Sequence, residues 1–490
     1  MGYPAEKAQV RAEEAAEKMS QDGAVTEQPS ESAAEKMSQD GAVTEQPSES
    51  TVRRAVAASA MGNCIEWFDF GVYSAGAITA TIGKVFFPTH DTTSAVLSSF
   101  AVLAVAFVVR PFGGFFFGPL GDKYGRQRVL ATTIILMSGS TFVIGVLPTY
   151  HTIGVFAPIL LILARMVQGF STGGEYGGAA TFIAEYAPDK RRGFLGSWLE
   201  FGTLTGFVLG SSLVLVVNLT LPASAMDGWG WRLPFLVALP LGLVGLYLRT
   251  RLEDTPAFRD MAKAGKVAKS PLRDTITHNW RMILNLIGIV LLLNVADYTI
   301  LTFMPSFLTD NLGISDTTSQ LVTISVEVAM MIVITFIGRL SDRIGRKPLL
   351  LTAAIGYIVL SYPALALMTA GGTVRLVIGF AILGALLVLM LAVIGSTFPA
   401  MFPTRVRYGS FAIGYNVSTS AFGGTAPFVI AALISATHTN FIPAYYLIIA
   451  GLVAIVPILL IPETAGVPLR GISESSTPGV VTEPEPATVG

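Results

Sequence analysis

Apolar runs of roughly 20 residues recur along the chain from about residue 54 to residue 462, broken by short polar turns. Each run is long enough to cross a bilayer core as an α-helix. Twelve are counted, at about 54–80, 93–117, 127–148, 153–186, 194–221, 232–250, 281–308, 315–340, 347–370, 374–401, 408–436 and 440–461. Two of the turns are written in nearly the same residues. One is Gly118-Pro119-Leu120-Gly121-Asp122-Lys123-Tyr124-Gly125-Arg126; the other, 220 residues on (342 minus 122), is Gly338-Arg339-Leu340-Ser341-Asp342-Arg343-Ile344-Gly345-Arg346-Lys347. The shared pattern, Gly-x-x-x-Asp-basic-x-Gly-Arg, predicts two equivalent halves. Such a turn lets two membrane helices reverse direction at the cytoplasmic surface, where lysine and arginine collect. A doubled membrane unit points to a transporter.

Composition supports the pattern: 52% of the 490 residues are apolar and 13% are charged, the latter about half the usual share of a globular chain. The expected fold is an all-α membrane protein, twelve transmembrane helices in two pseudo-symmetric six-helix bundles. Charge is segregated. Residues 1–50 hold eleven acidic and four basic side chains, and residues 471–490 hold three acidic and none basic. Taking the tails' −7 and −3 from the total of −1 leaves the core at about +9. With both termini inside, Arg53, Arg54, Lys123, Arg126, Arg128, Lys190 to Arg192, the group from Arg249 to Arg281, Arg343, Arg346, Lys347, Arg405 and Arg407 are cytoplasmic. The opposite loops keep little more than Lys84 and Arg375. This asymmetry predicts a cell-membrane protein with cytoplasmic termini. Cys64 is the single cysteine, so no internal disulfide forms.

The domain plan follows. Residues 1–52 form an acidic N-terminal tail in which Ala15–Ser32 is repeated as Ala33–Ser50; with so few large apolar side chains it is expected to be disordered. No apolar signal-peptide core is present in it. Residues 53–250 form the first bundle, 251–280 a charged cytoplasmic linker beside the membrane, 281–464 the second bundle, and 465–490 a disordered tail rich in Pro, Thr and Gly.

Candidate chemistry lies where polar side chains interrupt the apolar runs. Glu66 and Asp69, three apart in the first run, share a helix face with Tyr73 one turn on, and Trp67 lies beside them. Carboxylates inside a bilayer normally face the bundle interior or a wet cavity. Arg110 either anchors an anionic group or neutralises one of these acids. Arg165, Gln168, Thr172 and Glu175 form a polar stripe that reads as cavity lining, and Gly173, Gly174, Gly177 and Gly178 beside it permit close helix contact. Glu200 and Trp198 lie in the fifth run, Trp198 as a cavity aromatic or an interfacial anchor. Asp297, with Tyr298 beside it, and Glu327, amid Val, Ala, Met and Ile, stand out in the charge-poor second half. An acid so deep is either protonated or paired across the bundle, which suits a proton carrier.

Together these residues resemble the major facilitator superfamily, and within it the metabolite:proton symporters. The resemblance is carried by the doubled turn, by Arg165-x-x-Gln168-Gly169, by Glu66-Trp67-Phe68-Asp69-Phe70 and by Gly173-Gly174-Glu175-Tyr176. The strings Gly196-Ser197-Trp198, Trp229-Gly230-Trp231-Arg232 and Pro399-Ala400-Met401-Phe402-Pro403 are most similar to the proline/glycine betaine:proton symporter branch. The resemblance covers about residues 53–470. It implies two bundles that rock about a central cavity, with Gly118, Asp122, Gly125, Arg126, Gly338, Asp342, Gly345 and Arg346 in a cytoplasmic gate and Arg165 at a position associated with proton coupling. Asp297 and Glu327 depart from that branch, where uncharged residues are expected. The cytoplasmic coiled coil of some osmosensing members is also missing.

Charge chooses among substrates. Six carboxylates (Glu66, Asp69, Glu175, Glu200, Asp297, Glu327) face two arginines, Arg110 and Arg165, inside the expected membrane layer. Di- and tricarboxylates call for several cations. A zwitterion suits the acid-rich cavity better: its carboxylate meets an arginine, and its ammonium meets an aromatic face of Trp67, Tyr73, Trp198 or Tyr298, a contact worth about 2 kcal/mol when desolvated. The expectation is proton-coupled symport of a compatible solute such as proline or glycine betaine, by a chain that works as a monomer. A di- or tricarboxylate:proton symporter is the alternative. No cofactor, metal or nucleic acid is expected, and no enzyme: the four histidines lie in loops or at helix ends, and no metal spacing or nucleophile–base–acid set appears.

Overall fold

The computed structural model describes residues 48–87, 92–251, 254–255, 258–259, 262 and 271–469. Among these every long element is helical. We number the twelve spans α1 (Glu49–Ser74, continued by Gly76–Phe86), α2 (Thr92–Tyr124), α3 (Arg126–Val146), α4 (Phe156–Tyr186), α5 (Arg192–Thr220) and α6 (Arg232–Thr250). They continue as α7 (Pro271–Asp297), α8 (Asp316–Ile344), α9 (Lys347–Thr369), α10 (Thr373–Thr397), α11 (Arg407–Ser418, continued by Ala426–Thr437) and α12 (Ile442–Leu460). Eleven helices are long and apolar enough to cross a membrane by themselves. The exception is α1, whose Asn63, Glu66 and Asp69 dilute its hydropathy; all three are buried against neighbouring helices.

Helix boundaries follow local chemistry. The expected start of the first span near residue 54 moves back to Glu49. Pro305 lies just beyond α7. Wide π-turns at Tyr298–Phe303 and Phe307–Asn311 bracket the turn Met304–Ser306 that contains it, as expected where a proline removes a helical donor. A similar wide turn, Thr419–Gly423, interrupts the eleventh span. The duplicated tail and most of residues 470–490 and of the linker lie outside the described residues.

Pairing of helices shows the doubling directly. In the first six spans α1 packs on α5, α2 on α4, α3 on both α4 and α6, and α1 on α6; six spans later the same list reads α7 on α11, α8 on α10, α9 on α10 and α12, and α7 on α12. Across the halves α2 meets α11 and α8 meets α5, again a matched pair. One internal relation therefore generates both the halves and the seam between them.

Small residues set the closest approaches. On α5, Gly202, Gly206 and Gly210 recur every fourth residue and lie against the backbone of α1 at Ala60, Cys64 and Phe68. Between lipid-facing helices no hydrophobic force drives association, so contact of this kind holds them. A Cβ at Gly206 would meet the Cys64 carbonyl at 2.5 Å, whereas a Cβ at Gly139 on α3 meets nothing within 4 Å. Gly206→Ala is therefore expected to destabilise by about 1–3 kcal/mol and to lower the melting temperature in detergent. Gly139→Ala should leave the melting temperature unchanged or raise it.

Candidate functional site

Three helices of the first half bring charge to the middle of the fold. Arg110 on α2 donates from Nη2 to Glu66 Oε1 of α1 at 2.6 Å and from Nη1 to the Tyr298 hydroxyl at 3.2 Å. Tyr298 opens the first wide turn after α7, so this bond crosses between the halves. Arg165 on α4 donates from Nη1 to Asp69 Oδ2 and to Gln168 Oε1, both at 2.5 Å. Its guanidinium carbon lies 4.0 Å from the centre of the Tyr73 ring. Gln168 is itself held by donating to Thr141 Oγ1 at 3.0 Å. All these groups are buried.

A third pair was not foreseen. Arg249, placed by sequence at the cytoplasmic end of the sixth span, turns back into the fold and binds Glu175 Oε1 at 3.0 Å. Room for its guanidinium exists because Gly62 of α1 has no side chain. The count of six acids against two arginines is thereby corrected to six against three, since the long Arg side chain reaches where its Cα position does not suggest.

Among the described residues the remaining three acids have no cation partner. Glu200 accepts from the Tyr176 hydroxyl at 2.5 Å. Asp297 Oδ1 is buried without a hydrogen-bond partner, in the electric field of Glu200 and Arg110. Both oxygens of Glu327 are buried and unpartnered among the described residues. Carboxyls so placed require a proton or a visiting cation.

Aromatic rings surround the Arg110 pair. Trp67, Phe70 and Phe107 pack against Tyr298 with centroid distances of 6.1, 6.3 and 5.1 Å. Tyr73 sits instead at Arg165. Trp198 does not join them; half-buried near the start of α5, it packs on Phe194 and Phe201 of its own helix. Sequence reading missed Tyr415, which stacks on Tyr176 at 4.2 Å and 16°. Its place inside the eleventh apolar run gave no signal.

At the charged end of the bundle the doubled motif acts on helix N-termini. Asp122 of α2 accepts from the backbone N–H of Gly409 at 2.7 Å and of Tyr408 at 3.4 Å, the first turn of α11. Asp342 of α8 accepts from Gly193 and Phe194 at 2.7 and 2.9 Å, the first turn of α5. Each carboxylate thus caps a helix of the opposite half, where free N–H groups and the helix dipole favour negative charge. Gly118 and Gly338 let the helices cross, facing Gly409 and Gly193. Gly125 and Gly345 end the motif at φ 105° and 93°, which side chains resist.

Each motif arginine lies near the Asp of its own turn, Arg126 at 3.3 Å and Arg346 at 3.7 Å, and Arg126 donates further to the Thr404 carbonyl of the second half at 3.0 Å. Arg126 also meets Glu185, which Arg407 of α11 binds at 2.9 Å. Glu185 carried no sequence signal beyond its place at a helix end. A second pair of caps lies behind: Asp254 accepts from the Arg126 N–H at 2.8 Å, and Glu463 from the N–H groups of Arg346 and Lys347. Burial holds the Asp254 carboxyl above its ordinary pKa despite these donors. At the more open Glu463 burial also pushes upward, but the N–H groups of Arg346, Ala465, Lys347 and Thr464 prevail and hold it below.

Comparison with known proteins places the chain among transporters. Residues 55–274 match the family described as sugar (and other) transporter, and residues 286–484 match the major facilitator superfamily. A glycine betaine/proline/ectoine/pipecolic acid transporter of Dickeya dadantii is 44% identical over 437 residues, 87% of this chain and 86% of that protein. A proline/betaine transporter of Escherichia coli K12 is 43% identical over 435 residues, with the same coverage. Among solved structures, a proton:xylose symporter bound to 6-bromo-6-deoxy-D-glucose superposes with a TM-score of 0.72 at 18% identity. It covers 86% of this chain and 98% of its own, a likeness of fold alone.

The Glu175–Arg249 pair makes a thermodynamic prediction. Arg249→Met leaves a buried carboxylate without its cation and should destabilise by about 3–5 kcal/mol. Adding Glu175→Gln should restore most of that loss, as read by thermal unfolding of the purified single and double variants.

Proposed function

This chain belongs to the major facilitator superfamily, and from that premise we propose that it carries a small zwitterionic compatible solute, of the proline or glycine betaine kind, together with protons. The observation that carries the substrate reading is the balance of the site: three carboxylate–arginine pairs, Glu66–Arg110, Asp69–Arg165 and Glu175–Arg249, beside three acids without a cation. A di- or tricarboxylate would bring more anions to a place where acids already exceed arginines. A zwitterion adds no net charge. The relatives' names point the same way.

Protons are carried, in this reading, on the acids that lack a cation, with Asp297 and Glu327 foremost. The basic turns, all at one end of the bundle, face the cytoplasm with both termini. The Asp122 and Asp342 caps hold that end shut while the cavity faces outward. Rocking of the halves then releases them. Both bundles and their cavity come from one chain, so the monomer is the working unit. Entry of each net positive charge gains about 2.3 kcal/mol per 100 mV of membrane potential.

Proteoliposomes with an imposed proton gradient should concentrate labelled proline and betaine. Concentration of 2-oxoglutarate or citrate, with neither zwitterion taken up, overturns the assignment. Asp297→Asn and Glu327→Gln should bring gradient-driven accumulation down towards equilibrium while solute exchange persists. If both variants still accumulate solute as the parent does, these acids are structural and the proton travels elsewhere.

A further inference from the structure

Two arginines border the same cleft, and their hydrogen bonds distinguish them. A narrow crevice, with room for about one water molecule, lies between α1, α2 and α4, lined by Phe70, Phe107, Arg110, Arg165, Gln168 and Thr172. Arg110 is committed: Nη2 holds Glu66, Nη1 holds Tyr298, and its guanidinium lies 5.0 Å from the centre of the Phe107 ring. None of its nitrogens is among the buried atoms left without a partner. Arg165 differs. Its Nη1 alone serves Asp69 and Gln168, while Nε and Nη2 are buried with no hydrogen-bond partner.

We propose that Arg165 is the docking point for the substrate's carboxylate, which it takes side-on through the Nε–H and Nη2–H edge in this cleft. Those two N–H groups point the same way from one edge of the planar guanidinium, the arrangement that meets both oxygens of a carboxylate at once. The plane is already fixed. Tyr73 covers one face, and Asp69 and Gln168 pin the far nitrogen, with Gln168 held in turn by Thr141. Little freedom is left to lose on binding.

The same geometry selects for a zwitterion. Asp69 already matches the single charge of Arg165, so a carboxylate that arrives there needs a positive charge of its own nearby. A second carboxylate on the ligand would meet Asp69 or Glu66 and be repelled. The assignment rests on the substrate reading above and adds to it the residue that reads the carboxylate.

The test uses the full-length protein in liposomes and compares proline with prolinamide, which keeps the ring and the ammonium but lacks the carboxylate. Each is titrated against labelled proline. The parent protein should prefer proline by roughly 10- to 100-fold, as expected for hydrogen bonds to a charged group. In Arg165→Lys the preference should collapse to within about threefold, with prolinamide affinity little changed, because lysine keeps the charge but not the two-pronged edge. Arg110→Lys should retain the preference. A preference intact in Arg165→Lys, or lost in Arg110→Lys alone, overturns the proposal. If Arg165→Lys does not fold, Thr172→Leu decides: it narrows the cleft without touching the arginine and should weaken proline binding about tenfold, and unaltered binding overturns the proposal. Failure of the parent to bind either proline or betaine would instead sink the substrate reading itself.

Discussion

The constraint on which the rest of the structure depends is that a carboxylate of each half must satisfy the N-terminus of a helix in the other. Asp122 caps α11 and Asp342 caps α5. Both interactions need a glycine crossing to bring the helices together and a positive-φ glycine to end the turn, which is why the motif occurs twice with the same spacing. A carboxylate at a helix N-terminus contributes about 0.3–2 kcal/mol. That is enough to favour a closed end, yet small enough for a transport cycle to reverse it.

Charge is divided unequally behind that end. The first half holds all three buried ion pairs of the interior, while the second contributes Asp297, Glu327 and the wide turns around Tyr298. Breaking a buried ion pair by removing one partner costs several kcal/mol, so the charged helices of the first half stay together as one piece. The second half, poorer in charge and interrupted by π-turns, reaches the Glu66–Arg110 pair through the Tyr298 hydroxyl. The middle of the fold therefore sets a rigid wall on one side against an adaptable one on the other.

Much of this was legible in the residues. Periodic apolar runs and the doubled turn specify the twelve spans and the two-fold plan, because membrane thickness and cytoplasmic charge leave few other solutions. Glu66, Asp69, Arg110 and Arg165 were recognisable as a group because ionised side chains in an apolar run must face inward. Arg249 was not, since a long side chain at a helix end can turn either to the surface or back into the bundle. Trp198 failed to join the aromatic group because an indole near a helix end packs equally well on its own helix. Spacing also showed that Asp122 and Asp342 matter, but it could not show that their partners would be backbone N–H groups, which every sequence contains.

Arg110, Asn416, Asp122, Asp342, Glu185 and Arg407, whose bonds cross the halves, share a property that the ion pairs inside one half do not need. Arg110, on losing Tyr298, keeps Glu66; Asn416, on losing the Gly173 carbonyl at 2.6 Å, keeps that of Ala412 at 2.7 Å. Asp122 and Asp342 retain Arg126 and Arg346 when their capped helices move away. Glu185 keeps Arg126, and Arg407 keeps the carbonyls of Pro399 and Phe402. An unpaired buried charge would make parting prohibitive in low dielectric, and a neutral hydrogen bond between membrane helices contributes only about 0.6 kcal/mol. With a second partner waiting in its own half, each of these groups can let go without being stranded. A seam dense with polar contacts can therefore hold two bundles in register and still open.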